Sequence, residues 1–191
     1  KTEKEVYQAI GLSYIEPELR TNTGEIEAAL RQAQGKPGGL PKIIGYNDIL
    51  GDLQVHTKWS DGFDTIEGIA KAAEDLGYQY IAITDHTGDL KIAGGLDEKR
   101  LLDQMREIDK INKRFKNFKI LKGCEVDILK DGSLDFGPEI LKELDIVIIS
   151  AHMYNRLPAE EQTARIISAI ENPYSMILAH PTGRLINKRP E

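Results

Sequence analysis

Ile81-Ala82-Ile83-Thr84-Asp85-His86 is a short apolar run that stops abruptly on an acid and a histidine. A run of this length bounded by polar residues reads as a buried strand rather than a helix. The residues upstream change period. Ile66, Ile69, Ala70, Ala73 and Leu76 recur three and four apart, which is one face of a helix, and Gly77 closes it. Asp64 and Glu67 have the spacing of a capping box at its start. Before that helix, residues 52–56 alternate like a strand and end on His56. Downstream, the pattern predicts a helix over 97–115, with Leu101, Leu102, Met105, Ile108 and Ile111 inward, and a strand over 119–125. A short helix over 138–144, a strand over 146–150, a helix over 158–170 and a strand over 175–178 follow. Such alternation predicts an α/β fold, a parallel sheet flanked by helices that is either open or closed into a barrel.

The first fifty residues do not share this rhythm. They predict a short helix over 3–10 stopped by Gly11, a polar turn over 21–24 and a second helix over 25–34. Gly35-Lys36-Pro37-Gly38-Gly39 is a linker by composition. The boundary is placed near Gly45, leaving 1–45 as a small helical appendage and 46–191 as the α/β domain. A chain of 191 residues accommodates one ordinary domain and such an appendage. It begins with Lys1 rather than Met and is read as a piece of a longer protein. No apolar run approaches the ~20 residues of a membrane span, and no signal-peptide pattern is present. The single Cys124 has no intrachain partner, which fits a reducing compartment, and its apolar neighbours predict a buried, inert thiol. A net charge of −6 argues against a nonspecific nucleic-acid binder with a basic face. A nuclease remains compatible, because carboxylates that hold metal ions keep a site acidic until the ions bind.

The four histidines, His56, His86, His152 and His180, each follow or end a predicted strand. In parallel α/β architectures the carboxyl ends of strands share one rim, so these side chains are expected to converge there. Acidic residues accompany them. Asp61 lies in a Ser60-Asp61-Gly62 turn, Asp85 precedes His86, and Glu125 ends its strand. Asp85 is expected to orient a ligand through a hydrogen bond, and Asp127 is read as a solvated loop carboxylate. Imidazole and carboxylate together suit Zn²⁺, Mn²⁺ or Fe²⁺, and the lack of clustered cysteines argues against a structural zinc site. On the first strand, Gln54 and His56 project to the same side, a spacing at which two ligands grip one ion.

Gln54-Val55-His56, Thr84-Asp85-His86, Glu125, Ala151-His152 and Ala179-His180-Pro181, in this order between strands and helices, resemble the motifs of the PHP (polymerase and histidinol phosphatase) superfamily. The resemblance covers about residues 51–191. Trp59-Ser60-Asp61-Gly62, Ala93-Gly94-Gly95-Leu96 and His180-Pro181-Thr182-Gly183-Arg184 look like the PHP domain of bacterial and archaeal family X DNA polymerases. Residues 10–27 are similar to the end of the polymerase thumb in those proteins, while the polymerase palm is absent.

The resemblance implies an irregular parallel β/α barrel, incomplete here because the family's closing strands with their Asp-x-His pair lie beyond Glu191. An exposed sheet edge at the last predicted strand is then expected. The resemblance also implies up to three divalent ions, Mn²⁺ or Zn²⁺, on His56, Asp61, His86, Glu125, His152 and His180. Gln54 stands as a weak ligand where the family has histidine. The implied reaction is hydrolysis of DNA phosphodiesters at 3′ ends, as a 3′→5′ exonuclease in DNA repair, with His56, His86, Glu125, His152 and His180 catalytic. Arg184 and Lys58 are candidates for phosphate contact, and Trp59 either stacks on a base or packs beside the rim. The implied partners are DNA and the remainder of a polymerase chain in the cytoplasm, with no membrane. Gln54 keeps open a catalytically impaired module that supports the polymerase. A phosphatase of small molecules, like histidinol phosphatase, shares the chemistry but leaves the thumb-like N-terminus unexplained.

Overall fold

The strand–helix alternation is realised in a computed structural model of the chain, which describes residues 2–88 and 94–182. The chain divides into two compact units, Lys1–Asp48 and Ile49–Glu191. In the first, helix α1 (Glu3–Ala9) starts at a capping box in which Thr2 and Glu5 satisfy each other's backbone N–H groups. Helix α2 (Glu25–Ala33) follows a polar turn. Ile15 and Ala29 are buried between these segments, and Arg20 ties the turn together through Ile15 O and Glu3.

The second unit carries the sheet. Its described residues form β1 (Gly51–Val55), α3 (Ile66–Asp75), β2 (Tyr80–Ile83), α4 (Glu98–Asn112), β3 (Lys119–Asp127), α5 (Pro138–Leu141), β4 (Ile146–Ser150), α6 (Ala159–Ile170) and β5 (Ile177–Leu178). The strands lie in the order β1-β2-β3-β4-β5 and every pairing is parallel. Strand order that follows chain order around a parallel sheet is the arrangement of a β/α barrel, not of a doubly wound sheet with a switch point.

Burial explains the elements. Ile66, Ala70 and Ala73 of α3 and Ile108 and Ile111 of α4 pack on Ile81, Ile83 and Ile120. A second apolar cluster joins Leu101 and Met105 to Cys124, Val126, Val147 and Ile149, with Leu134, Phe136 and Leu141 closing it. Cys124 is fully buried, and burial pushes its thiol well above the ordinary range. No helix among the described residues is long and apolar enough to cross a membrane.

Several local expectations need correction. Thr65, not Asp64, caps α3, its hydroxyl accepting from Gly68 N at 3.1 Å. β3 runs two residues past Glu125, so that glutamate is inside the strand rather than at its end. The last strand pairs through only Ile177 and Leu178, and it lies at an edge of the five strands described.

Candidate metal centre

Alternation along β3 sorts its side chains. Cys124 and Val126 enter the apolar core, while Glu125 and Asp127 point to the opposite face. Glu125 is only 1% exposed, and groups from both edges of the sheet reach it. His56, one residue after β1, brings Nε2 to 3.1 Å from Oε2, and His180, two residues after β5, brings Nε2 to 2.9 Å from Oε1. Four inter-strand steps of about 4.8 Å would hold those edges roughly 19 Å apart in a flat sheet. The sheet is therefore curled, and its carboxyl-end rim closes around Glu125 as half of a barrel.

The other histidines complete the ring. Past β2, the chain stays beside β3 so that His86 pairs with Glu125, and His86 Nδ1 lies 3.6 Å from its carboxylate. His152 Nε2 is 3.3 Å from Glu125 Oε1. The rings step along the rim, with centroids 4.4 Å apart for His56–His86, 5.0 Å for His86–His152 and 5.1 Å for His152–His180. Asp61 joins at the first end, 3.5 Å from His56 Nδ1 and 3.7 Å from His86 Nε2. His180 has a φ of 24°, a region that residues other than glycine rarely occupy and that collects at functional sites.

Charge follows from this crowding. Burial works against an ionised Glu125, but hydrogen bonds from His152 and His56 and the field of His86 outweigh it and hold the carboxyl far below its ordinary range. The hydrogen bond to Asp127, reinforced by Glu125, pushes His152 up to about 9. Glu125 likewise raises His56. His86 goes the other way, because burial dominates there.

The donor set fits divalent ions. His56, Asp61 and His86 offer ligand atoms within 4.8 Å of one another, and so do His86, Glu125 and His152. The Nδ1 atoms of His56 and His86 are buried without a hydrogen-bond partner, a costly state for a polar atom unless something else takes its lone pair or proton. Imidazole and carboxylate in this mixture suit Zn²⁺ or Mn²⁺.

Around the ring the structure corrects two sequence readings and decides a third. Asp127 is 2% exposed rather than solvated, and its Oδ1 accepts from His152 Nδ1 at 2.8 Å. That bond fixes the tautomer, leaving Nε2 to face Glu125. Asp85 does not contact a histidine. It is fully buried and accepts from Thr57 N and Oγ1, both at 2.7 Å, from Ser60 Oγ, and from Gln104 Nε2 at 2.6 Å. It thus anchors the loop that carries His56 and Asp61. Of the two roles open to Trp59 it takes packing, against both apolar clusters, and donates Nε1–H to Glu107 at 3.0 Å.

Gln54 reaches the ring with its amide nitrogen, which donates to Glu125 Oε2 at 3.1 Å. Lys58 is exposed and makes no ion pair among the described residues, and Arg184 lies outside them. Sequence reasoning passed over Thr57 and Gln104 and assigned Asp127 to solvent. For Asp127 the signal was available: it stands two residues from Glu125 on one strand, the spacing that also pairs Gln54 with His56.

Asp127→Asn is expected to leave the fold intact while lowering divalent-ion affinity roughly 10–100-fold, as loss of a partner behind a ligating imidazole generally does. Titration of Mn²⁺ by calorimetry checks it. An unchanged isotherm would show that Asp127 does not orient His152 for metal.

The family model for the PHP domain matches residues 52–180. Over 188 residues the chain is 44% identical to the DNA polymerase/3′-5′ exonuclease PolX of Bacillus subtilis, covering 98% of this chain and 32% of that protein. A probable phosphatase of Thermoanaerobacter sp. is 38% identical over 135 residues, 68% of this chain and 53% of that protein. Another from Acetivibrio thermocellus is 34% identical over 134 residues, with the same coverage of each. The chain thus spans between about a third and a half of the length of these relatives.

Proposed function

The chain belongs to the PHP domain family, and from that membership we propose that its histidine rim is a metal-dependent phosphoesterase centre that hydrolyses DNA phosphodiesters at 3′ ends. The observation that carries this reading is the convergence of four strand-end histidines on one buried carboxylate. DNA as substrate is favoured because similarity to the PolX of Bacillus subtilis extends over both units, whereas the phosphatase relatives match 68% of the chain. On this reading residues 1–45 are the end of a polymerase thumb with its linker, and residues 46–191 are the PHP domain. The partners are then DNA and the rest of a polymerase chain, in cytoplasmic DNA repair.

His56, Asp61 and His86 would hold one ion and His86, Glu125 and His152 another, with His180 on the far oxygen of Glu125 and room for a third in the complete centre. Bound there, Mn²⁺ or Zn²⁺ would supply Lewis acidity and positive charge for a phosphoester. The chain's own contribution is orientation. Glu125 stays ionised and offers each oxygen to a different side of the rim. Asp127 holds the His152 proton at Nδ1, and Asp85 holds the first loop in place. Burial of Glu125 and Asp127 beneath the more exposed Asp61 and His180 strengthens the interactions those two carboxylates make.

A second reading, a catalytically impaired module that supports the polymerase, is favoured by Gln54. Its amide donates to Glu125 where a second imidazole would ligate. One experiment separates the two readings: Mn²⁺ content and 3′-end digestion of a single-stranded oligonucleotide, for the wild-type chain and for Gln54→His. The expected result is measurable digestion by the wild type and a gain of about 10–100-fold in ion affinity and rate for the variant. If neither protein cleaves although both hold metal, the supporting role takes over. Brisk wild-type digestion at micromolar Mn²⁺, unchanged by the substitution, would show that position 54 is not a ligand position.

A further inference from the structure

Phe63 is 97% exposed, more than any other large apolar side chain among the described residues. It sits on the loop between β1 and α3, two residues beyond Asp61. That loop is held at several points. Gly62 N donates to Thr57 O at 2.9 Å, and Lys58 N donates to Asp64 O at 2.9 Å. Thr57 and Ser60 are pinned by the buried Asp85. A Cβ at Gly62 would collide with the carbonyl of His56, so the backbone next to Phe63 lies directly against the backbone of a rim histidine. The two aromatic residues of this loop part ways. Trp59 turns inward and packs, whereas Phe63 stands in solvent on the same anchored loop, two residues after Asp61 of the ring.

We infer that Phe63 is a stacking platform for the terminal nucleobase of a single-stranded end whose phosphoester lies over the histidine ring. This rests on the reading of that ring as a phosphodiesterase. The surroundings favour a base over a protein partner. Its neighbours on the loop include Lys58, Asp61 and Asp64, a charged setting unlike the contiguous apolar patch of a protein interface. A base is a small π-face attached through its sugar to a phosphate, and this loop offers a lone π-face beside a phosphoester centre. A net charge of −6 argues against a strand held mainly by a basic face. Stacking is the contribution to binding that does not need one, and it tolerates any base.

The probe is a single-stranded oligonucleotide with 2-aminopurine as its 3′-terminal base and a phosphorothioate at the last linkage, bound to the Mn²⁺-loaded chain. Wild type is expected to quench the 2-aminopurine. Phe63→Ala should lose that quenching and bind about 5–100-fold more weakly, the equivalent of ~1–3 kcal/mol per stacked base, while Phe63→Trp restores both. Metal content should be the same in all three, because the side chain touches no ligand. A probe with an abasic 3′ end should bind wild type and Phe63→Ala equally.

Equal affinity and quenching for Phe63→Ala and wild type would overturn the inference while leaving the nuclease reading standing. So would an equal loss on the abasic probe, or a change in sedimentation without a change in oligonucleotide binding. A wild-type chain that neither binds nor digests any oligonucleotide, yet hydrolyses p-nitrophenyl phosphate, would remove the DNA reading and this inference together.

Discussion

Asp85→Ala is expected to destabilise the chain by about 3–5 kcal/mol, the range for deleting one partner of a buried charged network. Four donors converge on that carboxylate from the backbone and hydroxyl of Thr57, from Ser60 and from Gln104. Alanine leaves them facing a dry space with no acceptor. The loop holding Thr57 and Ser60 would then lose its anchor, and α4 would lose the polar tie through Gln104, keeping those of Asn112 and Asp109 to β3. At ~2–4 °C per kcal/mol for a domain of this size, thermal melting should fall by roughly 6–20 °C. Asp85→Asn keeps an acceptor oxygen and should lose less. Melting of the alanine variant within a degree or two of wild type would show that the network contributes little. The metal readout should follow the fold, because His56 and Asp61 ride on the anchored loop.

Glu125→Gln should act in the opposite proportion, sparing the metal-free fold more than the site. The amide is nearly isosteric, but it is neutral and turns an NH₂ group toward imidazoles arranged around an acceptor. Removing the charge from a position that His56, His152 and His180 all approach within 3.3 Å should lower divalent-ion affinity on the order of 10³-fold. Phosphodiester cleavage should fall below detection. Calorimetric titration with Mn²⁺ measures the first and oligonucleotide digestion the second; wild-type affinity in the variant would remove Glu125 from the centre.

The stability of the metal-free variant also has a signed pH dependence. Glu125 is depressed below its ordinary 4.5, so its contribution is complete above 4.5 and is lost as pH falls toward its lower folded value. His152 is raised from 6.5 to about 9, so its contribution is complete below 6.5 and is lost through 9. The Asp127 bond, the larger cause of the His152 shift, survives in Glu125→Gln, so the variant's deficit should be full above about 4.5 and shrink most clearly as pH falls below it.

Much of this was legible in the sequence because strands and helices carry different periods, and the chain keeps them clean. Ile66, Ala70 and Ala73 announced α3, and the placement of each histidine after a strand announced one rim. Legibility failed where a side chain's role depends on what lies across from it. Asp127 is polar and near a predicted strand end, which reads as solvent. Its burial comes from His152, twenty-five residues away in the chain and adjacent only once β4 has docked on β3. Asp85 sits beside a histidine in sequence, yet its partners are on the β1–α3 loop and α4, because the chain turns its carboxylate away from the ring. Trp59 and Phe63 are both aromatic residues of one polar loop, and composition does not say which of them will find a core to enter.

The curl of the sheet has a consequence for how the protein is made. Glu125 receives its neighbours from both edges of the sheet, so the ring is not a local motif that any one segment can form. His56 and His180 are 124 residues apart in the chain. At ~5–20 residues per second of synthesis, the first histidine leaves the ribosome roughly 6–25 seconds before the last. Through that interval the histidines of the rim are not yet all present. On the proposed reading, a centre of this design assembles only after strands from both edges of the described sheet have been made, and no single segment forms it alone.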